Sequence, residues 1–289
     1  MSESVVADFV GRFYTEDVQG GEPVKGRVLL SKKRLVLARE GGKTTIPLSG
    51  IFDVSVGFVP GELAEFFDDT VTLAYETRGQ KHTAVVEGRN GNVDRFTTVL
   101  FKVLLNGTTV RVKHPDRVGG RVTDASTTKA KLSLKPQSVK FVGERDSFTI
   151  DLAAVSNIER TTRQLGGKTQ PVLEISHLDG GQALVSVVAV PSGRKTNIFG
   201  RYVRLEYGSI QEEVGELDHS EEELEALVAL YSTGGSANLG TLLNAEPAQI
   251  TMVLNSLHDD GLVVDGDGAT KLTPKGRVAV TTHLERVNA

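Results

Sequence analysis

Two short strings in this chain have the residue types of a phosphate-binding loop: Gly41-Gly42-Lys43-Thr44 and Gly166-Gly167-Lys168-Thr169. Such a loop cradles phosphates in backbone N–H groups, and needs another glycine five residues before the one that precedes the lysine. Those positions hold Leu37 and Thr162, and neither string runs into a helical pattern, so both read as turns. The six histidines, at 82, 114, 177, 219, 258 and 283, include no pair at H-x₃-H spacing, and no metal site is expected. Zero cysteines removes thiolate ligands, disulfides and cysteine nucleophiles together. No serine sits in a G-x-S-x-G elbow. Asp68-Asp69 and Asp259-Asp260 are adjacent carboxylates, but such neighbours are ordinarily solvated surface or cap residues. The expectation is no catalytic residue, no cofactor and no metal, in a chain that works by binding.

Three groups of residues could serve binding. Lys32-Lys33-Arg34 falls at a hairpin tip, where it is either a solvated turn that blunts a sheet edge or a basic contact for an anionic phosphoinositide lipid. Phe66 and Phe67 lie in an acidic stretch, 60–69, and either pack under the sheet or form a partner-binding lip. Met252, Asn255 and Ser256 fall on the polar face of a helical pattern. An exposed methionine amid small residues suits an adaptable protein contact, or else faces another domain.

The elements that position these residues follow from periodicity. Segments 28–54 and 132–158 match at a fixed offset of 104. Val28 falls on Leu132, Leu30 on Leu134, Leu35 on Val139, Leu37 on Phe141, Ile46 on Ile150, Leu48 on Leu152, Ile51 on Val155 and Val54 on Ile158. Each copy reads as three short strands, then two more alternating segments (70–77 with 81–87; 171–178 with 182–190), then one helix. Phe96, Val99, Leu100, Val103 and Leu104 give the first helix, 93–105, a clean apolar stripe; the second, 197–210, is looser. About seven antiparallel strands closed by one C-terminal helix suggest a pleckstrin-homology-like (PH-like) barrel. The order GRVLLS, KKRLVL, TTIPL, IFDV is similar to the start of GRAM and PH-like modules.

After residue 217 the period becomes helical. Ser220 and Glu223 form a capping box before Leu224, Leu227, Val228 and Tyr231. A short helix over 238–243 follows, then a third helix from Pro247 with Ile250, Val253, Leu254 and Leu257 inward. A strand, an Asp265-Gly266-Asp267-Gly268 turn, a returning strand and a last helix complete the order. This order, and the string from Leu257 to Gly276, resemble a winged helix-turn-helix. The expected class is therefore mainly β with α: PH-like domains at 1–107 and 108–214, then a winged helix-turn-helix at 218–289.

Residues 218–289 carry 11 acidic and 4 basic side chains, a net of −7. Chain totals of 37 and 33 leave 26 acidic and 29 basic in residues 1–217, a net of +3. The stretch 212–218 reads as a short polar link at this change of charge and period. The N-terminus lacks the basic start and apolar run of a secretory leader, and no run of 18 apolar residues is present, so the cytoplasm is the expected compartment.

With the phrases KGRVLLSKKRLVLA, TTIPLSGIFDV, EYGSIQEE and SEEELEALVALYS, the whole chain resembles the archaeal taxis protein family CheF. That resemblance implies a non-enzymatic chemotaxis adaptor. It would link the phosphorylated response regulator CheY, together with CheC and CheD, to the switch complex of the archaellum motor. A second copy of the chain is a further candidate partner. The competing readings are a PH-like lipid- or peptide-binding module and a transcription regulator with a winged helix. The second is disfavoured by charge, because no arginine or lysine occurs from Gly235 to Asp267. A surface without cations releases no counterions from DNA. Residues 218–289 are expected not to retard duplex DNA at about 0.1 M salt. Micromolar binding that weakens steeply with salt would overturn this.

Overall fold

The computed structural model describes residues 4–16, 22–67, 69–89, 91–179, 182–235, 239–266 and 269–288. Its first unit is a seven-stranded antiparallel sheet: β1 (Val5–Thr15), β2 (Val24–Ser31), β3 (Arg34–Arg39), β4 (Gly42–Pro47), β5 (Ile51–Val56), β6 (Thr70–Thr77) and β7 (Gln80–Glu87), followed by α1 (Asn92–Leu105). The spatial order is β4-β3-β2-β1-β7-β6-β5. The second unit repeats it with β8 (Thr109–Val118), β10 (Thr128–Lys135), β11 (Ser138–Gly143), β12 (Ser147–Asp151), β13 (Val155–Leu165), β14 (Lys168–Asp179), β15 (Gln182–Ala189) and α2 (Gly193–Gly215). A short β9 (Arg121–Val122) pairs only with β8, and the order β12-β11-β10-β8-β15-β14-β13 is the first sheet's order again. The two units thus form separate sheets, as the offset of 104 predicts.

The repeat is a repeat of buried positions. Seven of the eight matched pairs are buried in both copies; in the eighth, Val54 is buried and Ile158 only partly so. Alternation places these side chains on one face, where a shift of one residue would turn them all to water. Gly26 is required by this packing. A Cβ there would lie 2.7 Å from the Phe13 ring and 2.2 Å from the Ala38 carbonyl oxygen.

Neither sheet closes into a barrel, which corrects the expectation from periodicity. The end strands β4 and β5 are consecutive in the chain but do not pair, and the same holds for β12 and β13. A 3₁₀ turn joins them in each copy, Leu48–Gly50 and Leu152–Ala154. Each turn is fixed by one bond: Leu48 N–H donates to the Lys33 carbonyl at 2.9 Å, and Leu152 N–H to the Gln137 carbonyl at 2.8 Å. The chain rounds a corner there, and the end strand leaves the ladder instead of continuing it.

The helices also differ from their sequence patterns. In α1, Phe101 and Leu105 are buried while Val99 and Val103 are only partly so. The buried face is displaced because α1 packs on its own sheet and on α2, where Phe101 meets Tyr202 at 5.5 Å between ring centroids. The helix α2 begins four residues before the expected range and continues to Gly215, so most of the stretch read as a link is helix. Ser192 caps it by accepting from Lys195 N–H at 3.2 Å.

The C-terminal unit comprises α3 (Glu221–Thr233), α4 (Leu239–Leu242), α5 (Pro247–Asp259), the antiparallel pair β16 (Val263–Asp265) and β17 (Thr270–Leu272), and α6 (Pro274–Asn288). Ser220 and Glu223 form the capping box in both directions, at 3.2 and 2.8 Å. Tyr231, expected on the inner stripe, is 46% exposed because α3 buries chiefly Ala226, Leu227 and Leu230. Asn238 and the Asp267-Gly268 part of the turn lie outside the described residues.

One buried cluster runs from Phe13 in the first sheet to Val280 in α6. Urea should therefore unfold the chain in a single cooperative step. Phe101→Ala, which empties the contact between α1 and α2, should lower stability by about 3–5 kcal/mol. Fluorescence and circular dichroism transitions that fail to coincide would contradict the shared core.

Candidate functional site

The glycine-lysine strings are hairpin turns. Gly41-Gly42 connects β3 to β4, and Gly166-Gly167 connects β13 to β14, with Leu165 paired to Lys168. Among the described residues no group of three or more His, Asp or Glu could hold a metal ion. One cluster has the composition of a nucleophile with two bases. Ser186 Oγ lies 2.7 Å from His114 Nδ1 and 3.0 Å from His177 Nε2. Ser186 is fully buried, and the His114 ring lies flat on Phe148 with centroids 3.7 Å apart. No carbonyl could reach the hydroxyl, so the cluster satisfies three polar groups inside the sheet.

The connection after the fifth strand of each copy folds over the outer face of its sheet, by different means. In the first copy a 3₁₀ segment, Gly61–Phe66, brings Leu63 and Phe67 onto Val85. In the second, β13 and β14 run on as a long hairpin whose Leu165 and Val172 cover Val187 and Ala189. An arginine on the central strand meets each cover. Arg12, paired in register with Glu87, stands 5.5 Å over the Phe67 ring; Arg111, paired with Ala189, donates to the Gly166 carbonyl at 2.7 Å. The hairpin is also anchored at Asp116, which is fully buried and meets Lys113 at 2.8 Å and Arg163 at 3.1 Å. Burial pushes the Asp116 pKa up, but the bonds from Lys113 and Arg163 outweigh it and hold it below the ordinary carboxylate value.

The candidate binding residues lie on three separate elements. Lys32, Lys33 and Arg34 are exposed at the tip between β2 and β3. Ser31 Oγ orders this tip, accepting from Lys33 N–H and Arg34 N–H at 3.3 and 3.1 Å. Phe66 and Phe67 divide the two alternatives between them: Phe67 is buried in the cover, and Phe66 remains 38% exposed. Asp68 lies outside the described residues. On α5, Met252 is 73% exposed and Asn255 is exposed beside it. Ser256 is also exposed, but its hydroxyl is bonded to Glu223 of α3 and so helps to hold the two helices together.

The sequence reading missed a surface along α2. Arg201, Arg204, Leu205 and Gly208 form one stripe of that helix, flanked by the end strands β5 and β13. Asp53 pairs with Arg201 through two bonds of 3.1 Å, while Arg204 is exposed, and Phe58 stands 60% exposed on the β5 side. Each end strand carries an irregularity at its matched position, Phe52 and Ser156, which hinders another strand from adding there. The signal available in sequence was the i, i+3, i+4, i+7 spacing of the α2 stripe, but two arginines and a glycine there look like ordinary solvated surface.

The sequence profile described as "Archaeal Chemotaxis signal transduction system protein F" matches residues 5–209, both sheets and most of α2. The chain belongs to this archaeal CheF family. It is 46% identical to "Taxis protein CheF2" of Halobacterium salinarum (strain ATCC 29341 / DSM 671 / R1) over 288 residues, covering 100% of both chains. It is 26% identical to "Taxis protein CheF1" of the same strain, covering 96% of this chain and 95% of that one. A solved structure of Inner Membrane Complex Sub-compartment Protein 3 from Toxoplasma gondii matches 36% of this chain and 75% of that chain, at 14% identity and a TM-score of 0.25, too low to bear on the fold. The CheF profile ends before α3, whereas the CheF2 relative matches through the C-terminal unit as well. A role in chemotaxis signal transduction follows from the family. No described helix is long and apolar enough to cross a membrane.

The buried histidines give this CheF chain a pH response. Burial, reinforced by His177, lowers the His114 pKa from 6.5 to about 4, and burial lowers that of His177 also. The unfolded chain therefore binds more protons than the folded one between these values, and stability rises with pH across that window. Stability should be complete above about pH 6.5 and fall as the pH drops toward about 4. His114→Phe, which preserves the stack on Phe148, should flatten the dependence. Urea midpoints taken between about pH 7 and about pH 5 measure both slopes; equal slopes would show that His114 does not carry the effect.

Proposed function

We propose that this chain is a non-enzymatic chemotaxis adaptor that binds the phosphorylated response regulator CheY, together with CheC and CheD, and couples them to the archaellum switch complex in the cytoplasm. Family membership carries this reading. The chemistry of the described residues supports it: the Ser186–His114–His177 cluster has its hydroxyl buried, and the exposed candidate residues are of the kinds that make protein contacts. Each sheet with its helix is read as a PH-like module, residues 1–107 and 108–214. Residues 218–289 are read as a winged helix-turn-helix that binds protein instead of DNA.

The outer face of α5 is the proposed contact for the regulator. Ala248, Met252 and Asn255 are exposed and uncharged, whereas Leu257 is fully buried and Ile250, Val253 and Leu254 pack inward. A small uncharged face can be covered without the cost of desolvating ions. An adaptor that prefers the phosphorylated regulator stabilises the regulator's active state to the same extent.

Calorimetry with phosphorylated and unphosphorylated regulator tests both parts. The phosphorylated form should bind more tightly, and Met252→Asp should weaken binding by about 1–3 kcal/mol if the residue is central. The fold should survive, since this side chain points to solvent. Equal affinity for the two regulator forms would end the adaptor reading; an unchanged Met252→Asp affinity would move the contact off α5.

A further inference from the structure

The outer face of the second sheet is covered over part of its width. The β13–β14 hairpin lies over β15 and reaches as far as β8, where Arg111 donates to the Gly166 carbonyl at 2.7 Å. The face continues past Arg111 onto β10 and β11. Ala130, Leu132 and Leu134 of β10 and Val139 and Phe141 of β11 are buried on the core side. Alternation therefore turns Lys129, Lys131, Lys140 and Val142 outward, and all four are exposed, Val142 to 42%. Register sets their spacing. Lys131 pairs with Val142, which puts Lys140 on the diagonal, about 7–8 Å away between Cα atoms. Lys129 lies one pleat along β10, directly opposite Arg111. Like charges opposite one another destabilise a sheet, so this face holds its cations together at a cost.

Among the described residues none pairs with Lys129, Lys131 or Lys140, and the segment 91–179 around them is described throughout. The acidic residues at the margin are Asp151, which accepts from Ala153 N–H at 2.9 Å, and Glu144 and Asp146 in the β11–β12 turn. No ion pair joins them to the lysines. The first sheet treats the same position differently. Lys131 matches Arg27 at the offset of 104, and Asp8 holds Arg27 through two bonds of 2.7 Å. Arg27 lies opposite Val10, and Lys131 opposite Thr109, so the counterpart of Asp8 is Gly107, which has no carboxylate. Lys140 stands where the first sheet has Val36. Lysines commonly blunt an edge strand against pairing, but β10 and β11 are inner strands with a neighbour on each side.

The opposite charge is present on the same chain. Glu221, Glu222 and Glu225 are exposed at the start of α3, and Glu225 neighbours the other two at i+4 and i+3. Their own unit cannot neutralise them nearby, since no arginine or lysine occurs from 218 to 270. We infer that the outer face of β10 and β11 docks the acidic side of α3 from a second copy of this chain. Lys131 and Lys140 meet Glu222 and Glu225, Lys129 adds to the field, and the incoming helix covers Val142. Complementary charge of this kind fixes partner and register. Each copy carries both faces, so the contact can be made in both directions and close a dimer. It leaves Met252 and Asn255 of α5 out of the interface.

Sedimentation velocity on the full chain tests this. At low salt the chain should show a dimer in equilibrium with monomer, and about 1 M salt, which screens charges beyond about 3 Å, should weaken the dimer by about tenfold or more. Lys131→Glu with Lys140→Glu should leave a monomer, and so should Glu222→Lys with Glu225→Lys. Mixed in equal amounts, the two variants should form a one-to-one complex, because each then meets opposite charge in both directions. Recovery on mixing separates loss of the contact from loss of the fold. The inference is overturned if the unaltered chain is monomeric at low salt, if either variant alone associates as the unaltered chain does, or if the mixture stays monomeric. It is also overturned if a monomeric chain binds phosphatidylglycerol vesicles through Lys131 and Lys140, which would make the face a lipid contact. Neither the regulator nor the motor is present in this experiment, so its failure is distinguishable from failure of the adaptor reading.

Discussion

The burial of α2 between all the other units is the constraint on which the rest of the structure depends. Ile198, Phe199, Tyr202, Val203, Ile210 and Val214 are buried along its 23 residues, while Asn197, Ser209, Gln211 and Glu212 join Arg201 and Arg204 on the exposed side. Its first half meets the first sheet through Arg194 to Glu76 at 2.6 Å and Arg201 to Asp53 at 3.1 Å. Its second half meets the second sheet at Gln137 and the C-terminal unit at Lys275. The exposed ion pairs contribute little each. The apolar side chains stabilise far more, at about 1.5–3 kcal/mol for each one buried. The charges therefore set the position of the helix and the apolar face holds it there.

This arrangement accounts for the divergence of two copies that share a strand order. The helix α2 lies at the centre and runs on to Gly215 over the corner of its own sheet, whereas α1 is shorter and ends at Leu105, where the chain departs into β8. The outer faces diverged in a different sense, reaching one result by two routes. An aromatic 3₁₀ segment covers Val85 and a long hairpin covers Val187, with an arginine from the central strand at each. Covering buried valines is a requirement of packing and is met twice.

Much of this was legible in sequence wherever the cause is local. The apolar positions of 28–54 and 132–158, the Ser220–Glu223 box and the exposure of Met252 and Asn255 follow from period and capping chemistry, which act over a few residues. The central strands β1 and β8 were not placed, because their partly exposed alternation carries a weaker signal than that of the strands beside them. Phe66 and Phe67 are adjacent, so a period cannot say which turns inward; Tyr14 and Val85, distant in the chain, decide it. The role of Ser256 was hidden for the same reason, since its partner Glu223 lies in another helix. The open sheets were read as barrels because alternation fixes which face is buried and says nothing of whether the last strand finds the first.

The distribution of charge has a structural reason that a count over the chain does not reveal. Residues 1–217 are nearly balanced, yet much of their balance is internal. Asp116 and Glu174 are taken up by Lys113, Arg117 and Arg163, Asp53 by Arg201, and Glu76 by Arg194. Carboxylates held in this way contribute little to the outside field, because their partners lie within a few ångströms and cancel them at longer range. The ammonium groups of Lys32 and Lys33 face solvent instead, at the end of an ordered hairpin. The C-terminal unit presents the opposite case, with Glu221, Glu222 and Glu225 exposed on α3 and an uncharged face on α5. One continuous core therefore carries a basic corner and an uncharged helix face on different units. The units are joined by α2, which packs on α1, on α6 and on both sheets, and also directly, by α1 on β10 and by α6 on the Leu152–Ala154 turn.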